Sequence, residues 1–573
     1  MTKRTNSNIG GRAGRRRGIL VLAALAAASG AWAEPAAAPN GKPQVLRVHH
    51  PVSAAPVSLL PPSRVLVGAA KPYGGAPIDV TLYHYDNART GWNPNETDLT
   101  AASVASANFG LLQTLSVDSN VLAEPLLVSG FVMPDSSVHD ILIIATGHNT
   151  VYAFDAQTFD ILWQVNLGPS QASPDVGCED VQPEYGISST PVIVRNAPNT
   201  ATIYVVAATE PSSYQFHTYL HALSLATGQD LLAPVEISPS ATLSNGSLLK
   251  FDPQNQWNRA SLAYNNGSIY IGIGSHCDND EDGISGWLLR YDATLKSTGA
   301  FHTIETPGGV ELASIWMSGF APAIDASGNV FVVTGNGDYA GGAARDYGES
   351  VLKMTPSVSG VRDRFTPAAY AALTFNDADF GSGGVMLIPP VEGQSAPPMA
   401  VAMGKDAVLY LLDQSKLGGL QPHDKGALQA LRLGPSGRGI WGGPAYYDGP
   451  AGPTVYAQIS AGVMRSFTLS TGAEPSLTPA ASGASVGGYG GSLPIVSSNG
   501  SAPGTGVLWV VRRSVPIELE AYDAVALGAP IFAASIGDWS NPVHANPYLS
   551  PMEVNGRVYV AAYKTVKVFG LIQ

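Results

Sequence analysis

Two cysteines in 573 residues exclude most of what cysteine does in proteins. There is no Cys-x-x-Cys-His, so no haem is attached through thioethers, and no dense cysteine framework carries the fold. Cys178 and Cys277 are far from adjacent. Charge is also scarce, at 13% of residues, and glycine and proline are abundant at 63 and 43. That balance suits many short strands joined by turns and argues against a helical bundle. No sustained helical periodicity runs through the chain beyond its first residues. Nor does it contain His-Glu-x-x-His or a phosphate-cradling loop, which removes zincin and P-loop chemistry.

Long hydrophobic runs are missing too. Ile19 to Ala28 is apolar but too short for a comfortable membrane span. Arg15-Arg16-Arg17 precedes it and Ala31-Trp32-Ala33 follows, the order of a cleaved targeting signal over 1–33. The expectation is an exported chain, periplasmic or secreted, that starts at Glu34. The arginines suit either a twin-arginine or an ordinary secretory route. No cysteine lies near the cleavage site, which argues against a lipid anchor. The formal charge of −13 becomes more negative once the signal and its basic residues are gone. Such a chain is a poor candidate for binding nucleic acid or an anionic membrane.

What is present is a repeat. Apolar runs closed by an Asp or Thr turn recur at Val151 to Asp155, Leu220 to Ser224, Trp287 to Asp292, Val351 to Thr355, Val408 to Asp413, Val463 to Thr468, Leu519 to Asp523 and Val566 to Gly570. Their spacing of about 45 to 70 residues is that of propeller blades with loop insertions. The fold expected is all-β, an eight-bladed β-propeller of four-stranded antiparallel blades over 85–573, with 34–84 as an Ala/Pro-rich leader or linker. The first blade sets the pattern: Leu126 to Val128, Ile141 to Ala145, Thr150 to Phe154 and Ile161 to Trp163. The last blade has only three strands before Gln573. Phe109 to Val117, a strand with no neighbour in sequence, is expected to close it and remove an open edge.

Thr150 to Trp163 and Leu220 to Leu231 resemble the pyrroloquinoline-quinone-type repeat, and Gly335 to Thr355 and Tyr559 to Gly570 are looser copies. The chain is thereby similar to the quinoprotein alcohol dehydrogenase-like superfamily over about 120–573. The resemblance implies the propeller fold. It covers quinone- and calcium-dependent dehydrogenases and also non-catalytic scaffolds of the bacterial envelope. Two departures from the enzymes matter. They stack their quinone on a disulfide between adjacent cysteines, which this chain lacks, and most outer strands here lack the docking tryptophan.

In a propeller, loops between second and third strands share a face with the connections between blades. This rule collects His148, Asn149, Glu210, His276, Asn336, Asp338, Lys405, Asp406, Arg512 and Lys564 from loops, and Glu184, Trp316 and Trp441 from connections, at one mouth. Asp278, Asp280, Asp282 and Gly283 match the first half of a calcium loop, but Leu289 stands where the bidentate Glu belongs. Export, a shared face and neighbouring blades together predict a Cys178–Cys277 disulfide. The leading reading is a non-catalytic scaffold for a small ligand or an envelope protein, expected to be a monomer. The alternative is a quinone- and calcium-dependent dehydrogenase of alcohols or sugars. In it Glu184 and Asp278–Asp282 hold the metal, and Arg512 or Lys405 pairs with the carboxylates of the quinone.

Overall fold

The structure, a computed structural model, describes residues 65–66, 68–278, 283–306, 308, 312–340, 345–391, 393–514, 516–537 and 549–573. The expected signal, most of the leader, Asp280 and Asp282 lie outside the described residues. All described residues belong to one compact unit, Pro43–Gln573. No helix among them is long and apolar enough to cross a membrane.

The described residues form four-stranded antiparallel modules, each an up-and-down meander. In module one the strands are Leu126–Val132, Val138–Ala145, Thr150–Asp155 and Ile161–Asn166. The modules that follow open with Val192–Ala197, Ala263–Asn265, Ala323–Ile324, Val385–Leu387, Ala445–Gly449, Ile495–Ser497 and Met552–Val554. Burial follows position. The third strand Thr150–Asp155 is buried along its whole length, whereas the outer strand Ile161–Asn166 is partly exposed throughout. The last module takes its outer strand from the other end of the chain: Phe109–Ser116 pairs antiparallel with Thr565–Leu571. That pairing closes the array.

Neighbouring modules are docked by specific groups. Trp163 Nε1 donates to Leu225 O at 2.9 Å, and its ring lies over Gly228. Gly228 has φ +71°, and a Cβ there would stand 2.5 Å from the indole. Only glycine satisfies both demands, a left-handed turn and close approach of an aromatic face.

The inner strands converge on one segment. Residues 80–93 run through the centre and bond to the opening strand of every module in turn. Val80 pairs with Leu127, and Ile193 N donates to Thr81 O. Asn87 Nδ2 donates to Tyr264 O. Ile324, Leu387, Tyr446 and Val496 donate their N–H groups to the carbonyls of Asn87, Ala88, Thr90 and Gly91. Glu553 N donates to Tyr85 OH. The segment turns with the ring through left-handed residues at His84, Tyr85, Arg89 and Gly91. The buried Arg89 guanidinium binds this coil by donating to the carbonyls of Tyr83, Asp86 and Pro322. The linker expected over 34–84 therefore ends earlier, since Val80, Tyr83 and His84 are buried here. Every inner strand leaves backbone groups facing the axis, and they need partners once buried.

Candidate functional site: a carboxylate and lysine centre at the mouth

The loops between second and third strands and the connections between modules bring one polar cluster together. Lys405 stands at its centre, on the loop between Met399–Ala402 and Val408–Asp413. Its Nζ lies 2.8 Å from Asp377 Oδ1 and 2.6 Å from Asp379 Oδ1, both on the connection into module five. It also sits 5.7 Å from the centre of the Trp316 ring and 5.6 Å from that of Trp441. Two faces of π-density and two carboxylates thus surround one ammonium. Trp316 Nε1 donates to Asp379 Oδ2 at 3.0 Å. Trp441 packs on Tyr489, ring centres 4.8 Å apart.

More carboxylates stand around this core than one lysine can balance. Asn336 Nδ2 donates to Asp377 Oδ1 at 2.9 Å and to Asp278 Oδ2 at 3.3 Å. Glu349 accepts from Phe380 N at 2.6 Å and Thr374 Oγ1 at 3.0 Å. Burial pushes Asp379 up to about 6 against the pull of Lys405. Burial, and then the charge of Asp377, raises Asp278. Burial and the Asp379 charge push Glu349 well above the carboxylate range. Burial opposes the Lys405 ammonium, yet Asp377 and Asp379 outweigh it and its pKa stands well above normal. Four acids thus stand around one base, three of them held up in pKa. Asn336 Oδ1 is buried without a hydrogen-bond partner, one more oxygen of the type that hard cations take.

No protein-family model matches the chain, and no curated protein matches it. Solved structures do. The quinohemoprotein alcohol dehydrogenase of Comamonas testosteroni aligns with a TM-score of 0.53 at 16% identity, over 86% of this chain and 80% of that one. The quinohemoprotein alcohol dehydrogenase ADHIIG of Pseudomonas putida HK5 gives 0.53 at 13% identity, over 86% and 81%. This is the quinoprotein alcohol dehydrogenase β-propeller fold. At such identity the likeness speaks for the fold, and the chemistry rests on the residues.

Of the residues selected from sequence, Asp278, Trp316, Asn336, Lys405 and Trp441 meet at this propeller mouth. Cys178 and Cys277 form the expected disulfide beside it, with Cα atoms 5.6 Å apart. The others have local partners. Glu184 accepts from Ser119 Oγ at 2.6 Å and pairs with His148 Nδ1 at 2.8 Å, a contact that raises the half-exposed imidazole. Asn149 Nδ2 donates to Ala208 O. Glu210 accepts from Ala172 N and Tyr214 N. Asp406 accepts from Tyr410 OH at 2.9 Å, and burial raises it to about 6. Asp338 accepts from Gly348 N through its carbonyl. Lys564 lies over the Tyr563 ring. Arg512 is drawn between Glu518 and Glu520 and buried there. His276 is buried against Tyr185 and Trp257, and burial lowers it to about 3.

Sequence reasoning missed Asp377, Asp379 and Tyr489. Their one signal was Asn376-Asp377-Ala378-Asp379, acidic residues just before an inner strand. Gly483-Ala484-Ser485-Val486-Gly487 has the spacing of a nucleophile elbow, but it occupies and leaves the outer strand Leu477–Val486, with no strand-turn-helix.

Proposed function

We propose that the chain is a quinone- and cation-dependent dehydrogenase of alcohols or sugars, built on an eight-bladed ring. The observation that carries this reading is the surplus of carboxylates around Lys405 between two tryptophan faces. Asp278, Asp377, Asp379 and Asn336 would hold a hard multivalent cation, calcium or a more highly charged ion of similar size. The Trp316 and Trp441 rings flank Lys405 and would border a planar cofactor bound beside it. A quinone bound there would supply the acceptor for two electrons, and the cation would supply Lewis acidity. Asp377 keeps 35% of its side chain exposed, so a cation held there would be within reach of substrate. Asp379, nearly buried, holds Lys405 and Trp316 in position. Reconstitution tests the reading: quinone and calcium are added to the purified protein, and dye reduction is followed with alcohols and sugars. Turnover lost in Asp377→Asn supports it; no turnover and no cofactor absorbance across the panel sinks it.

A second reading keeps the mouth as a non-catalytic scaffold for a small ligand or an envelope protein. It is favoured by Arg512, whose charge is consumed by Glu518 and Glu520 and is not offered to a quinone's carboxylates. Either activity suits an exported monomer, periplasmic or secreted. The disulfide and the segment over 1–33 support export, and the bonds from residues 80–93 to eight inner strands support the blade count.

A further inference from the structure

The loop between the first and second modules carries a strap beside the mouth. Its base is a short ladder, Gln171 with Tyr185 and Ala172 with Glu184. Ser173 Oγ donates to Val181 O at 2.6 Å and closes the strap on itself. From this base the chain reaches out through Cys178, Glu179 and Asp180. Asp180 is exposed, and its charge is among those felt by Tyr489, which stands on the connection between modules six and seven.

At its far point the strap is joined by the disulfide to the loop of module three. Cys277 is followed directly by Asp278, a member of the carboxylate centre. Both residues are left-handed, with φ 50° and 49°. That region is costly for residues other than glycine and persists only where surroundings impose it. The disulfide constrains this turn from one side, and the bonds of Asp278 to Ser275 Oγ and Asn336 Nδ2 constrain it from the other. Cys178 is buried, while Cys277 is partly exposed and open to attack.

We infer that the Cys178–Cys277 disulfide is a redox latch: its reduction frees the strap from the mouth and loosens Asp278, weakening the hold of the centre on its cation. The second half of this statement rests on the cation reading above; the first half does not. In the opening step a thiolate of a dithiol reductant attacks Cys277 Sγ, and Cys178 leaves as the thiolate. Tyr185 OH donates to Cys178 Sγ at 3.0 Å and stabilises that leaving group. The second thiol of the reductant then closes on the first, releasing Cys277. Two electrons and two protons pass to the protein, and the reductant ends as a cyclic disulfide. Asp180 acts as a brake, because a carboxylate oxygen of Asp180 and both sulfurs lie within 4.8 Å of one another. Its charge opposes an incoming thiolate and the thiolate that departs.

Amide hydrogen exchange on the intact chain, before and after dithiothreitol, tests the latch, with two free thiols counted to verify reduction. Exchange across residues 171–185 should quicken at least tenfold on reduction while Thr150–Asp155 stays protected. Terbium ion, read by luminescence sensitised by Trp316 and Trp441, should bind at least tenfold more weakly to the reduced chain. Asp180→Asn should speed reduction several-fold, and Cys277→Ser should reproduce the reduced state without reductant. Unchanged strap exchange in the reduced protein would overturn the latch, and so would equal terbium affinity in the two states. If the oxidised chain binds no terbium, the cation reading fails instead, and strap exchange alone decides the latch.

Discussion

Replacing Glu124 by Gln should change how stability depends on pH. Glu124 is 4% exposed at the axis, and its Oε1 accepts from His84 N at 3.2 Å while Oε2 lacks a hydrogen-bond partner. Burial raises its pKa from 4.5 to about 8, with Ser550, His84 N–H and Arg89 pulling the other way. A carboxyl group raised in the folded state binds its proton more tightly there than in the unfolded chain. Folding is therefore unaffected by this group below pH 4.5, and stability falls as pH rises from there to 8. The full shift corresponds to about 5 kcal/mol, and about 3 kcal/mol of it is spent by pH 7. Gln stays neutral throughout and removes this contribution. Other buried carboxyl groups, among them Glu553 and Glu349, titrate in both proteins, so the informative quantity is the difference between the two curves. Urea unfolding at half-unit steps from pH 4.5 to 8.5 supplies it. The variant should gain on the native chain steadily across that window. A constant difference would refute the claim that Glu124 is buried at the axis.

Three further outcomes are expected. Gly228→Ala forces a Cβ into the Trp163 ring at a left-handed position and should cost about 1–3 kcal/mol in thermal unfolding; the cost should shrink when Trp163 is first replaced by Leu, and an equal cost in both backgrounds would remove the docking role. Lys405→Met leaves Asp377 and Asp379 facing each other without their ammonium and should lose about 3–5 kcal/mol. Millimolar calcium should return part of that loss, and a calcium-independent melting temperature would count against a cation site. Leu115→Pro, placed within the closing strand and leaving the axial segment intact, breaks its pairing with Thr565–Leu571 and should yield aggregation through the bared edge, read by light scattering; a monodisperse product would contradict the closure.

The modules were legible because alternation and turn chemistry repeat in each of them. Thr150–Asp155 and its partners fall where a period of two places them. The closing strand Phe109–Ser116 was legible because an unpaired apolar strand demands an edge. The axial segment was not. Residues 80–93 share a few bonds with each opening strand rather than a ladder with one of them, so no periodicity marks them, and Tyr85 to Thr100 reads as a polar lead-in. The topological rule put Asp278, Asn336, Lys405, Trp316 and Trp441 on one face, and these side chains lie near one another around Lys405 and Asp377. It overlooked Asp377 and Asp379, which lie in a connection with no pattern of its own. It also took Arg512 for a mouth residue. Arg512 stands opposite Glu518, with Glu520 opposite Val510 two places along, so the guanidinium is held by cross-strand and diagonal neighbours. A charge at the end of a strand reads the same in sequence whether it faces a loop or a partner strand.

The most direct test of the carboxylate centre is anomalous diffraction from a crystal of the oxidised chain soaked in terbium. The account requires a strong peak within ligand distance of Asp278, Asn336, Asp377 and Asp379, absent from Asp377→Asn crystals. A peak confined to exposed acids elsewhere, or none at all, would contradict it.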